Sequence, residues 1–129
     1  MKIRVIACAV VLGAALFQPR AALSHHSNVA YEVTKVVTIT GVVKDFKWSN
    51  PHTWLTLTIE EGGQKVEWAV EGRAPGILLR AGWSRSSLKA GETVTVDMSP
   101  AKDGSKTGII ARVTKADGTI LSNAPPPIQ

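Results

Sequence analysis

Three histidines and the aromatic residues around one of them are the side chains with the most chemistry to offer. His25 and His26 stand side by side, and His52 lies in the stretch Trp48-Ser49-Asn50-Pro51-His52-Thr53-Trp54. A cut after Ser24 would make His25 the first residue. Its free amine and its own imidazole then close one chelate ring, and the imidazole of His52 or His26 completes a three-nitrogen set of the kind that suits copper. The same residues have a plainer reading, in which two solvated histidines follow a terminus and a turn histidine packs between Trp48 and Trp54. The rings support another: Trp48, Trp54 and Tyr31 are flat faces for a sugar or other ring, with Asn50 and His52 as polar contacts beside them. Against it, Trp48 and Trp54 serve equally well as hydrophobic cover for the end of a folded domain.

Catalysis has less to draw on. Glu60, Glu61, Glu67 and Glu71 fall at a turn or on outward strand positions, where charge is normally solvated. No serine or cysteine is flanked by a recognisable base, and no glycine-rich phosphate cradle precedes a helix. Ser84, Ser86 and Ser87 read as turn chemistry. A non-enzymatic protein is expected.

The first 24 residues read as an export signal: Met1-Lys2-Ile3-Arg4 is a positive start, residues 5–17 are an uncharged apolar run, and a short segment with Ala22 and Ser24 precedes the cut. The run is too short to cross a bilayer of roughly 30 Å, so no stable membrane span is expected. Removing it leaves 105 of the 129 residues, and with Lys2, Arg4 and Arg20 gone the formal charge falls from +5 to +2. The remaining bases alternate with acids and form no stripe, so nucleic acid is not an expected partner. The one cysteine, Cys8, lies inside the apolar run. The processed domain therefore has no disulfide and depends on core packing, in a periplasmic or secreted setting.

The elements that must position these groups are mostly strands. Val33, Val37 and Ile39 are apolar at odd positions, whereas beyond Gly41 the apolar residues Val42, Phe46 and Trp48 are at even ones. One strand buries both sets only if it kinks or bulges, and Gly41 is the expected place. Residues 54–60 alternate with Leu55, Leu57 and Ile59 on one face, Glu61-Gly62-Gly63-Gln64 is a hairpin turn, and residues 65–71 return with Val66, Trp68 and Val70 inward. A helix of about two turns follows between Pro75 and Gly82. Residues 92–98 and 107–115 are two further strands, and residues 119–121 a short segment. Residues 27–32 are expected to be an extended entry, and residues 123–129, with three consecutive prolines, a loose tail. The fold class is thus all-β with one short helix, in the order β-β-β-α-β-β. That order fits a five-stranded oligonucleotide/oligosaccharide-binding (OB) barrel over residues 25–122, with a small open sandwich as the competing architecture.

Laid out this way, the chain resembles a family of small exported bacterial proteins of unknown function. The likeness is carried by His25-His26-Ser27, Thr40-Gly41-Val42-Val43, Trp48-Ser49-Asn50-Pro51-His52, Gly82-Trp83 and Leu88-Lys89-Ala90-Gly91-Glu92. It implies export and a compact β fold, and points to no particular activity. The combined expectation is a module that binds an unidentified envelope ligand or protein through the corner from Trp48 to Trp54, with a copper binder built on His25, His26 and His52 as the alternative. Both require the first strand to reverse its side-chain direction partway along.

Overall fold

The structure is a computed structural model and describes residues 27–124. It contains α1 (Ser27–Ala30), β1 (Val37–Lys47), β2 (Trp54–Glu61), β3 (Gln64–Glu71), α2 (Pro75–Arg80), β4 (Thr93–Pro100), β5 (Thr107–Lys115) and β6 (Ile120–Ser122). Among the described residues no helix is long and apolar enough to cross a membrane.

The strands run in the order β3-β2-β1-β4-β5-β6, all neighbours antiparallel, and a parallel pairing of β3 with β5 joins the two ends. Five strands thus close into an OB-type barrel, with β6 as a flap on β5. Alternation supplies the interior: Leu55 and Leu57 of β2, Val70 of β3, Val94, Val96 and Met98 of β4, and Ile110 and Val113 of β5 are all essentially inaccessible. Helix α2 has Pro75 in its first turn and spans six residues, as the sequence suggested. Gly82, at φ +87°, reverses the chain so that the Trp83 amide reaches the Leu78 carbonyl. Leu78 and Trp83 then join the core.

The first strand reverses its side-chain direction, but not at Gly41. Its partners step from Val43–Leu57 to Asp45–Thr56, which leaves Lys44 as an inserted residue. Before this bulge the odd residues Ile39, Gly41 and Val43 are buried, and after it Phe46 turns inward. Val42, expected inside, is 43% exposed as a result. β1 also begins later than the alternation implied. Val33 lies outside it and is exposed, because the chain there turns through a Lys35 amide to Glu32 carbonyl bond instead of joining the sheet. Residues 37–42 pair with β4 and residues 42–47 with β2, so this one strand does serve both halves of the barrel.

Gly41 has a different task, which is to let β2 come close. A Cβ on it would lie 2.4 Å from Ile59 Cγ2 and 2.8 Å from the Thr58 carbonyl oxygen. Backbone cannot rotate away as a side chain can. Gly41→Ala is therefore expected to cost about 2–3 kcal/mol, read as a lower urea midpoint at unchanged m-value.

Both ends of the described chain depart from expectation. Residues 27–30 form a single helical turn and not an extended entry. The segment after it is tied to the rim of the barrel by the Tyr31–Ala101 bridge, the Glu32 amide to the Pro100 carbonyl, and the Lys102 amide to the Ala30 carbonyl. Asn123, assigned to the loose tail, is 6% exposed and belongs to the packed domain.

Candidate functional site

Residues 52–54 face residues 71–73 where β2 begins and β3 ends. Trp54 lies opposite Glu71, the Gly72 amide donates to the Thr53 carbonyl, and the Thr53 hydroxyl donates to the Arg73 carbonyl at 3.0 Å. Gly72 is required here, since a Cβ would lie 2.3 Å from Thr53 Oγ1. Across the corner that follows β1, Ser49 Oγ donates to the His52 carbonyl at 3.0 Å, and the Asn50–Pro51 peptide is cis.

Glu71 shares the outward face with Trp54, and the alternation marks it as solvated charge. The structure corrects this: Glu71 is 8% exposed. Tyr31 crosses from the N-terminal segment and donates its hydroxyl to Glu71 Oε2 at 3.0 Å, while His52 Nδ1 lies 2.8 Å from Oε1. A carboxylate withdrawn from water needs such partners on both oxygens. The arrangement is a chain of three titratable groups, phenol, carboxylate and imidazole, drawn from three separate segments.

Tyr31 is itself buried, so it is not the ligand-stacking face the sequence offered. Burial raises its hydroxyl pKa. The bond to Glu71 and that group's charge push the same way, against an opposing contribution from the Thr107 hydroxyl. The folded state therefore favours the protonated phenol. Its contribution to stability is complete below the ordinary tyrosine value of 10.0 and is lost as pH rises through the raised value. Tyr31→Phe is expected to cost about 1–2 kcal/mol at pH 7. It is also expected to flatten the alkaline fall in stability, which urea midpoints of both proteins at pH 7 and pH 11 will show.

Beside this chain of groups is a cavity of about 390 Å³. It exists because β3 and β5 pair over only three residues, Ala69–Thr107 to Glu71–Ile109, and then part. Asn123 spans the gap: its Oδ1 accepts from the Arg73 amide at 3.0 Å and its own amide donates to the Ala111 carbonyl at 3.1 Å. His52, Glu71 and Arg73 line one side, with Ile109, Ala111 and Asn123 among the residues of the other strand and its continuation. The pocket fits a small ligand in size and in its mixture of apolar wall and few polar groups.

The other expected residues are placed as follows. Trp48 is half-buried and meets Phe46 edge to face, with ring centroids 5.8 Å apart, and Phe46 in turn packs on Trp83 at 5.9 Å. Trp48 thus serves the hydrophobic cover of the barrel end. Trp54 is half-buried on the outer face and Asn50 is exposed. His52 is brought together with Tyr31, through Glu71, while His25 and His26 lie outside the described residues. Among the described residues no group of three His, Cys, Asp or Glu is spaced to hold a metal. Sequence reasoning missed Glu71, Arg73 and Asn123. The one cue to Asn123 is an isolated amide side chain just after a short apolar segment, which by itself does not separate an anchor from a tail residue.

Among solved structures the chain is similar to the mitochondrial single-stranded DNA binding protein Rim1 from S. cerevisiae. The match has 15% identity and a TM-score of 0.48, and covers 70% of this chain and 97% of that one. The expectation that nucleic acid is not a partner is corrected by this match and is dropped. At this identity and score, however, the likeness carries no ligand to this chain. None of the curated proteins matches the chain in sequence. The model of a family of unknown function, DUF6152, matches residues 14–112, and the chain belongs to that family.

Proposed function

We propose that this protein is an exported, non-catalytic module that holds a small ligand in the pocket between β3 and β5. The observation that carries the reading is Glu71, a carboxylate buried at the edge of that pocket on a strand position that could have faced water. A buried charge held by partners is weak support for stability, since an apolar residue of similar volume often serves a fold as well. Clusters of withdrawn titratable groups beside a cavity are found preferentially at binding sites. The pocket, and not the half-buried tryptophan corner, is accordingly the contact surface. The non-catalytic reading is supported by the nearby hydroxyls, since Tyr31, Thr53 and Ser49 all donate to acceptors other than the His52 ring. Export is supported by the charged start and apolar run of residues 1–17, and is tested by fractionation and by the mass of the mature chain. For the pocket, an NMR screen of acids, amines and sugars is expected to move the amide signals of residues 109–111 and 123. Ligands that moved only Trp48 and Trp54 would overturn the assignment.

A second reading, copper capture, is favoured by one arrangement. Histidines that ligate metals commonly have their other ring nitrogen held by a carboxylate, and Glu71 holds Nδ1 of His52 in this way, leaving Nε2. Tyr31, docked on the same carboxylate, is six residues after His25. His25, with His52 or His26, would supply the nitrogens. Copper(II) titration of the chain beginning at His25 is expected to show affinity at least tenfold above that of His52→Ala and of a chain with one residue added before His25. Equal affinities in all three, or a natural start elsewhere, would dispose of this reading.

A further inference from the structure

We propose that the ligand of this pocket carries an oxyanion, a carboxylate or a phosphate, on a short apolar body; the inference rests on the pocket reading above. It starts from Asn123. This side chain is 6% exposed, and its orientation is fixed because only Oδ1 can accept the Arg73 backbone N–H. The NH2 group is therefore the other end of the amide. It makes no hydrogen bond among the described residues, yet it is not sealed from solvent in the protein, and Asn123 lines the cavity. A donor that keeps contact with solvent and has no partner in the protein is free to give its N–H groups to whatever fills the cavity.

Arg73 adds a second unmatched donor. Its backbone is fully engaged, with the amide on Asn123 and the carbonyl taken by Thr53, so the loop that carries it is held in place. Arg73 is exposed and lines the same cavity, and its guanidinium forms no ion pair among the described residues. Glu71, the one acid of the pocket, already has the Tyr31 hydroxyl on one oxygen and the His52 ring on the other. Asn123 and Arg73 keep side-chain N–H donors that no described residue accepts, and guanidinium and amide N–H groups are suited to an oxyanion. Ile109 and Ala111 form a wall without charge, against which a short hydrocarbon body fits.

The test uses the ¹⁵N-labelled chain from His25 to Gln129 and four probes of one size: butyrate, butyl phosphate, butyramide and butylammonium. Butyrate, butyl phosphate or both are expected to move the Asn123 side-chain NH2 signals and the amides of residues 109–111 in a saturable way. Which of the two binds tighter identifies a carboxylate or a phosphate as the natural group. Asn123→Asp keeps an acceptor for the Arg73 N–H while replacing the NH2 with a charged oxygen, and is expected to weaken binding at least tenfold. Arg73→Gln leaves the backbone bonds in place and is expected to weaken it about fivefold, which decides the matter should the first variant fail to fold. Butyramide or butylammonium binding as well as butyrate would overturn the oxyanion assignment and leave the pocket reading standing, as would undiminished butyrate binding by the variants. Absence of any shift at the pocket with all four probes would remove the pocket reading as well.

Discussion

Trp83→Ala is expected to lower the stability of the domain by about 4 kcal/mol, the largest single effect in this chain. Trp83 is 2% exposed and is the largest fully buried side chain of the barrel. Its ring stops the barrel end together with Leu78 of α2, and Phe46 packs on it from β1. Its Nε1 donates to the Ser122 carbonyl at 2.7 Å, which fastens β6 to the loop after the helix. Truncation to alanine leaves a cavity that a closed barrel cannot collapse into, because the strands around it are fixed by their own ladders. It also leaves the Ser122 carbonyl without its donor. A domain of this size has only about 5–15 kcal/mol in total, so the variant should be near the limit of folding, with a melting temperature lower by roughly 15–30 °C. Trp83→Phe separates the two contributions. It keeps most of the volume and loses the bond, and about 1–2 kcal/mol is expected. A Trp83→Ala protein that melted within a few degrees of wild type would show that the helix and Trp83 are an ornament on the barrel and not its stopper.

Glu71→Ala is expected to cost about 3 kcal/mol, although the residue stands at an outward strand position. The carboxylate holds Tyr31 and His52, and removing it takes away the acceptor to which the buried phenol donates. Hydrogen bonds to a charged group contribute about 1.5–3 kcal/mol, and the abandoned hydroxyl adds to the loss. The effect should also be local. The N-terminal segment is held by Tyr31 and by a few backbone bonds at the rim, so its release should precede global unfolding. Amide exchange at Glu32 and Lys102, whose N–H groups bond to Pro100 and Ala30, is expected to accelerate about tenfold or more, with little change in the β1–β4 ladder. Glu71→Gln retains an acceptor for the phenol and should lose about half as much. Equal protection of these two amides in wild type and Glu71→Ala would mean that the carboxylate does not anchor the segment, and its burial would then need another explanation.

Much of the fold could be read from residues in sequence. The hairpin of β2 and β3 was legible because alternation is strict on both sides of Gly62-Gly63, and both glycines do take positive φ, at 59° and 78°. The bulge was legible as a need but not as a position. Val42 and Val43 are adjacent and alike, so either phase could continue through them, and the choice fell to the partner strand. Tyr31 and Glu71 were misjudged for the same reason as each other. By local pattern one reads as an exposed ring and the other as solvated charge, since nothing local to either says that they meet.

By itself the sequence determined what short-range physics determines: which segments alternate, where glycine and proline turn the chain, the five-strand order that closes a barrel, and the family. The site was decided by tertiary structure alone, because its groups are joined across long separations. Tyr31 reaches Glu71 over 40 residues and Arg73 meets Asn123 over 50. Whether an outward residue faces water or a second layer of protein depends on what the rest of the chain lays over it, and a period of two along one strand holds no information about that.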